Sequence, residues 1–217
     1  MSDKIQLYSL ATPNGQKVSV ALEEMGLPYD AHKINILEGD QFTDAFIAIN
    51  PNSKIPAIVD PQGPGGEPFS VMESGAILVY LAEKSGHFLS SDPRQKNETL
   101  QWLFFQMASV GPMFGQFGHF FKYGKDKCDH PYPTERYATE TQRLLKVLEV
   151  RLEGKDWLMG QDMTIADIAT APWVVGLSAF YKADEKLGLG RFTNVKRWAE
   201  RFLDRPKVQI GMKVCEF

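Results

Sequence analysis

Apolar positions fall into two regimes along this chain. In the first part they come in short runs separated by turn residues; from about Pro93 onward they recur only at helical spacing. Ile5 to Leu10 reads as a strand. Val18, Ala21, Leu22 and Met25 mark one face of a helix over Gln16 to Met25, closed by Gly26 where a C′ residue belongs. Tyr29 to Ile36 reads as a second strand, with Ile34 and Ile36 on one face. Phe42, Ala45, Phe46 and Ile49 repeat as a helix that Pro51 stops. Ile55 to Asp60 is a third strand, with Pro56 at its start, where a missing N–H is tolerated. The Gly-Pro-Gly-Gly turn at 63–66 leads into a fourth strand, Phe69 to Met72. Ser74 is placed to cap a helix carrying Ile77, Leu78, Tyr80 and Leu81, ended by Gly86. The predicted order is βαβ, a helix, then ββα, an α/β unit over residues 1–86.

After a link from Gly86 to Asp92, the pattern predicts an all-helical unit over residues 93–217. Leu100 to Met107 is apolar and helical. Tyr137, Thr141, Leu144, Leu145, Leu148 and Leu152 lie on one face of a long helix. Thr164-Ile165-Ala166-Asp167 is a capping box, with Met163 and Ile168 placed as a hydrophobic staple. Asn194 is expected to cap a last helix with Val195, Trp198 and Phe202, broken at Pro206.

Composition narrows the function. The 217 residues carry a net charge of −3 and no basic stripe, which argues against a nucleic acid or an anionic membrane as partner. Lys122, Lys125 and Lys127 are diluted by Asp126 and Asp129. The start of the chain has no apolar targeting core, and the longest clean apolar run, Ala76 to Ala82, is too short to span a bilayer. The two cysteines, Cys128 and Cys215, lie far apart in sequence and form no CxxC pair. The expectation is a reducing, cytoplasmic setting without structural disulfides. Cys128-Asp129-His130 lacks a second Cys/His pair, so no metal is expected.

The candidate chemistry sits in Ala11-Thr12-Pro13-Asn14-Gly15-Gln16-Lys17, where the first strand meets the first helix. A helix N-terminus offers unpaired N–H groups and the positive end of the dipole, which stabilise a thiolate. Thioredoxin-like proteins place their reactive cysteines at such a turn. This one holds a threonine hydroxyl and an asparagine amide, so any thiol must come from a bound small molecule. Read alone, Thr12 or Asn14 is equally a helix cap.

These residues, with Lys54-Ile55-Pro56-Ala57, Glu73-Ser74 and the capping box at 164–167, give the chain a resemblance to the cytosolic glutathione transferases over nearly its whole length. Thr12-Pro13-Asn14-Gly15, Asp40-Gln41-Phe42, Asn50 to Ala57 and Glu73 to Leu78 resemble the bacterial nu class, glutathione-dependent disulfide-bond oxidoreductases. Leu7 to Val18 and Phe117-Gly118-His119-Phe120 resemble the branch that holds two glutathiones per subunit. The resemblance implies a thioredoxin-like domain followed by a helical domain, assembled as a homodimer. Glutathione is the implied co-substrate, with a small disulfide or hydroperoxide as second substrate.

The resemblance also implies residue roles. Glu73 would pair with the γ-glutamyl ammonium, and Ser74 would hold the neighbouring carboxylate at a helix N-terminus. A cis Ile55–Pro56 bond would let the Ile55 backbone pair with the cysteinyl unit, while Lys54 and Gln41 bind the glycyl carboxylate. Thr12 and Asn14 would donate hydrogen bonds to the sulfur, activating it electrostatically rather than as bases. Arg136 matches an arginine that reaches glutathione in the partner subunit. Several other classes activate the thiol with a tyrosine near the end of the first strand; Tyr8, at that point here, is expected to pack instead. Gln106, Gln116 and His119 stay unassigned, and the aromatics of Gly111 to Tyr123 are read mainly as packing. Two rival functions remain open: glutathione transfer to apolar electrophiles or reduction of organic hydroperoxides, and a non-catalytic interaction module.

Overall fold

The computed structural model describes residues 3–216. Its contacts divide the chain into two compact units. One holds the residues up to Leu89 together with those from Asp204 onward, and the other spans Ser90–Leu203.

The first unit is built on a four-stranded sheet of β1 (Ile5–Ser9), β2 (Tyr29–Lys33), β3 (Ala57–Asp60) and β4 (Phe69–Met72), in the order β2-β1-β3-β4. β1 and β2 are parallel; β3 runs antiparallel to both β1 and β4. Leu7 pairs with Ala31 on one side and Ile58 on the other, and Ile58 pairs with Val71. Leu7 and Ile58 are fully buried, together with Val18, Leu22, Ile77, Leu78 and Leu81 of the helices α1 (Pro13–Met25) and α3 (Ser74–Ser85). Between β2 and β3 lies α2 (Asp44–Ile49). The second strand ends at Lys33, short of the predicted Ile36, and Ile34 bonds back to Ser9. Of the periodic set at 42–49, Phe46 alone is buried, while Phe42 lies in a 3-10 turn and is 65% exposed.

The sequence reading carried the helical unit to 217, but a short helix, α10 (Pro206–Gly211), packs on α1. Gly211 permits this contact: a Cβ there would sit 2.6 Å from the Val20 Cα. The Gly211 and Met212 carbonyls accept from Ser19 Oγ (2.7 Å) and Gln16 Nε2 (3.1 Å), and Arg205 forks onto Glu24 with two bonds of 2.7 Å. Apolar periodicity alone does not reveal this return, because Ser19, Gln16, Glu24 and Arg205 carry polar contacts across the seam.

The second unit comprises α4 (Pro93–Phe105), α5 (Gly111–Gly118), α6 (Pro131–Arg151), α7 (Ile165–Ala179), α8 (Asp184–Leu187) and α9 (Thr193–Leu203). Two π-helical turns, at 106–110 and 119–123, flank α5. The capping box forms: Thr164 Oγ1 accepts from the Ala166 N–H at 3.3 Å and Asp167 Oδ2 accepts from the Thr164 N–H at 2.9 Å. Asp167 does more than cap. It also accepts from the Leu158 N–H (2.8 Å) and the Trp198 indole N–H (2.9 Å), tying α7 to α9 at a fully buried point. Burial pushes its pKa up, and these donors oppose the rise. Asn194 is not the cap expected of it. α9 starts at Thr193, and Glu149 of α6 receives the N–H groups of Asn194 and Val195, each at 3.0 Å. Among the described residues, no helix is long and apolar enough to cross a membrane.

Candidate functional site

β1 delivers the chain to α1 through Thr12, the N-cap, whose Oγ1 accepts from the Gly15 N–H at 3.3 Å. That bond uses a lone pair of the hydroxyl oxygen and leaves its hydrogen to donate elsewhere. Capping and thiol binding are therefore compatible at Thr12. Pro13 occupies the first helical position, where its fixed φ fits and no N–H is needed. Asn14 follows, half-buried. Gly15 is required by the chain itself: a Cβ would lie 1.9 Å from the Leu10 carbonyl oxygen.

Tyr8 does not share this environment. Its ring stacks on His32 (4.7 Å, 21°) and meets Phe46 edge-on at 6.5 Å. Those are packing contacts.

A second group forms around the start of α3. Glu73 takes the N-cap position with φ 67°, a backbone region that a non-glycine residue rarely enters, and its side chain makes no cap bond. Ser74, predicted as the cap, is instead the first helical residue. Its buried hydroxyl accepts from Lys17 Nζ at 3.1 Å. Asn52 Nδ2 donates to Glu73 Oε1 at 3.4 Å. Glu73 and Ser74 thus present a carboxylate beside a helix N-terminus that no side chain caps, a combination suited to an ammonium next to a carboxylate.

The loop before β3 supplies a third group. The Ile55–Pro56 bond is cis, and Ser53 has φ 53°. Asn50 holds the turn through its Nδ2 bond to the Lys54 carbonyl at 2.7 Å. Lys54 itself is exposed. Among the described residues, neither backbone group of Ile55 has a partner, which leaves one donor and one acceptor open to an extended peptide. Gln41 donates from Nε2 to the Ile36 carbonyl at 3.3 Å, and its Oε1 is buried without a partner. Half of the donor capacity expected of Gln41 is therefore committed, and the orphan oxygen suits a ligand N–H better than a carboxylate.

Lys17 is the residue that sequence reasoning missed. It is 1% exposed, and burial brings its pKa down from 10.5 to about 7, with the Glu73 carboxylate pulling the other way. The signal was available: Lys17 lies one turn before Ala21, on the stripe that also carries Met25.

The remaining candidates belong to the helical unit. Arg136 lies on α6, its side chain half-exposed and only loosely paired with Glu140 at 4.0 Å. Gln106 is buried in the first π-helical turn, Gln116 is exposed on α5, and His119 is exposed against Phe120. Phe114 and Phe117 are core residues. Cys128 stands in the loop before α6. Cys215 lies in the tail, where its carbonyl accepts from the Ala11 N–H at 3.0 Å, and burial pushes its thiol pKa up.

A capped strand-to-helix turn, an open backbone beside a cis proline and an acidic residue at a helix start together describe a cradle for a small peptide. The N-terminal domain profile of the glutathione S-transferase family matches residues 11–84, and the C-terminal domain profile matches residues 112–206. The chain is 48% identical over 215 residues to the disulfide-bond oxidoreductase YfcG of Escherichia coli K12, covering 95% of this chain and 97% of the relative. It is 44% identical over 215 residues to the disulfide-bond oxidoreductase YghU of the same organism, covering 95% and 73%. Among solved structures, a glutathione transferase family member from Pseudomonas fluorescens Pf-5, with two glutathione bound, superposes with a TM-score of 0.96 at 51% identity, covering 98% of this chain and 93% of that one. A glutathione transferase from Pseudomonas putida, with one glutathione disulfide bound per subunit, gives 0.95 at 51% identity, covering 97% and 91%. Sequence, fold and site geometry converge, and the chain belongs to the glutathione transferase family.

Proposed function

We propose that this protein is a glutathione-dependent disulfide-bond reductase that uses the sulfur of bound glutathione in place of a cysteine of its own. The observation that carries this reading is the thiol-stabilising turn at Thr12–Gly15, which contains no sulfur. Two relatives 48% and 44% identical to this chain over 215 residues are named disulfide-bond oxidoreductases, which supports the choice of reaction.

The residue roles follow from the donor set. The Thr12 hydroxyl and Asn14 amide donate to the sulfur, and the positive end of α1 lowers the cost of its negative charge. The Ile55 backbone pairs with the cysteinyl unit. Glu73 receives the γ-glutamyl ammonium, and Ser74 with the first N–H groups of α3 receives the adjoining carboxylate. Lys54 supplies a cation for the glycyl carboxylate, and Gln41 completes that end. When bound, glutathione supplies the sulfur that attacks one sulfur of the substrate disulfide, and a second glutathione frees it as glutathione disulfide, with two thiols formed per disulfide broken.

The protein works as a homodimer in this reading. Phe69 and Met72 on the edge strand β4 are 43% and 39% exposed, an apolar edge suited to a second copy. Arg136, loosely paired within its own chain, is available to glutathione in the partner. Light scattering reads the dimer directly, with a monomeric mass as the opposing result.

The test of the mechanism is Cys128→Ala combined with Cys215→Ala. A folded double variant should reduce a small disulfide with glutathione at close to the parent rate, whereas Thr12→Ala with Asn14→Ala should lose at least tenfold. Loss of activity in the folded cysteine-free protein overturns the reading. Rates on an aryl halide and an organic hydroperoxide, measured alongside, separate it from a transferase or peroxidase.

A further inference from the structure

Lys17 has no part in the roles given above, yet it lies directly beneath them. A long basic side chain buried on the packed face of α1 is costly, and an apolar residue of the same length would fill the space. What distinguishes the position is its contact: Nζ reaches Ser74 Oγ at 3.1 Å, at the first residue of α3. An ammonium only donates, so Ser74 Oγ is the acceptor in this bond and its own hydrogen must point to another acceptor. A neutral amine has a lone pair and lets the hydroxyl turn back onto it.

We propose that Lys17 is a positioning residue for the γ-glutamyl carboxylate: its buried ammonium fixes Ser74 as a donor to the ligand and places a countercharge under the start of α3, so that glutathione binding draws a proton onto Lys17. The inference rests on the reading of Glu73 and Ser74 as the γ-glutamyl site. Around Lys17, the N-cap of α3 contributes the Glu73 carboxylate, which favours the proton. Across α10, the cations Arg205 and Lys207 are bonded to Glu24, to its carboxylate at 2.7 Å and its carbonyl at 3.3 Å, two turns further along α1. Burial brings Lys17 down to about 7, so near neutrality it is poised between its two forms before the ligand arrives. A carboxylate arriving above Ser74 favours the charged form, and by linkage the charged form favours the carboxylate.

The experiment is calorimetric titration of the full-length protein with S-methylglutathione, whose sulfur cannot ionise, between pH 6.5 and 8.5. Each titration is run in two buffers of different ionisation enthalpy. Wild-type affinity should fall about tenfold across this range, with uptake of roughly half a proton at pH 7. Lys17→Met should bind about tenfold more weakly at pH 6.5 and lose the Lys17 share of the proton uptake. Lys17→Arg stays charged and should hold its affinity at pH 8.5. Wild type taking up no more protons than Lys17→Met, or Lys17→Met binding as wild type, overturns the role of Lys17. If Glu73→Gln and Ser74→Ala also bind as wild type, the γ-glutamyl reading itself fails. If those two bind weakly while Lys17→Met does not, only the present inference fails.

Discussion

Replacing Asp167 by alanine should be the most damaging single change in the helical unit. The carboxylate gathers the Leu158 N–H, the Thr164 N–H and the Trp198 indole N–H at 2.8–2.9 Å, plus the Thr164 hydroxyl at 3.1 Å. Leu158 and Trp198 are fully buried, so water cannot take over. Alanine strands three N–H donors; at about 1–3 kcal/mol for each buried orphan the loss is about 3–9 kcal/mol. In a chain of this size that lowers Tm by about 10 °C or more. Asparagine should cost less, about 1.5–3 kcal/mol, because its oxygen can keep the Leu158 and Trp198 bonds while its NH₂ faces the Thr164 N–H. Trp198→Phe removes one donor and leaves the others served, so it should be the mildest. Thermal melts by far-UV circular dichroism, with urea titration at 25 °C, give the ranking. Asp167→Ala within 1 kcal/mol of wild type would refute the claim that this carboxylate joins α7 to α9.

Three further outcomes follow from the first unit. The pKa of Lys17 is lowered in the folded protein, so between pH 7 and 10.5 the unfolded chain holds more protons. Stability of the ligand-free protein should then climb with pH in that window, by up to about 1.4 kcal/mol per unit, and the climb should vanish in Lys17→Met. Urea midpoints at pH 7, 8 and 9 read it. Tyr8→Phe should leave reductase activity within twofold of wild type, because the Tyr8 ring packs on His32 and Phe46; a hundredfold loss by the same assay would return Tyr8 to the chemistry. Gly211→Ala should force α10 off α1, since its Cβ would overlap the Val20 backbone; faster amide exchange in both helices would show it.

Much of this architecture was legible in the chain. The four strands and the helices α1, α2 and α3 are marked locally by alternation, Gly26, Gly86 and the 63–66 turn. Long-range choices were not legible. Glu149 caps α9 from another helix, so the local candidate Asn194 was mistaken for the cap. Ser74 looked like an N-cap because serine favours that position, but the chain puts Glu73 there at positive φ. The π-helical turns around α5 have no simple sequence signature, and Phe42 was counted into a helix because 3.6-residue spacing cannot tell a buried face from an exposed 3-10 turn. In the proposed site, turn chemistry and family pattern point to Thr12, Ile55, Glu73 and Ser74. By residue type alone Lys17 is not legible as a buried residue, because a lysine is ordinarily solvated.

The return of residues from Asp204 to α1 makes the α/β half discontinuous in the gene. Its last segment is synthesised only after the whole helical half has been translated, so the nascent half must wait with Ser19 and Gln16 lacking these partners. Anyone grafting this half onto another protein must carry two separate stretches of chain, because the first stretch on its own is an unfinished cassette.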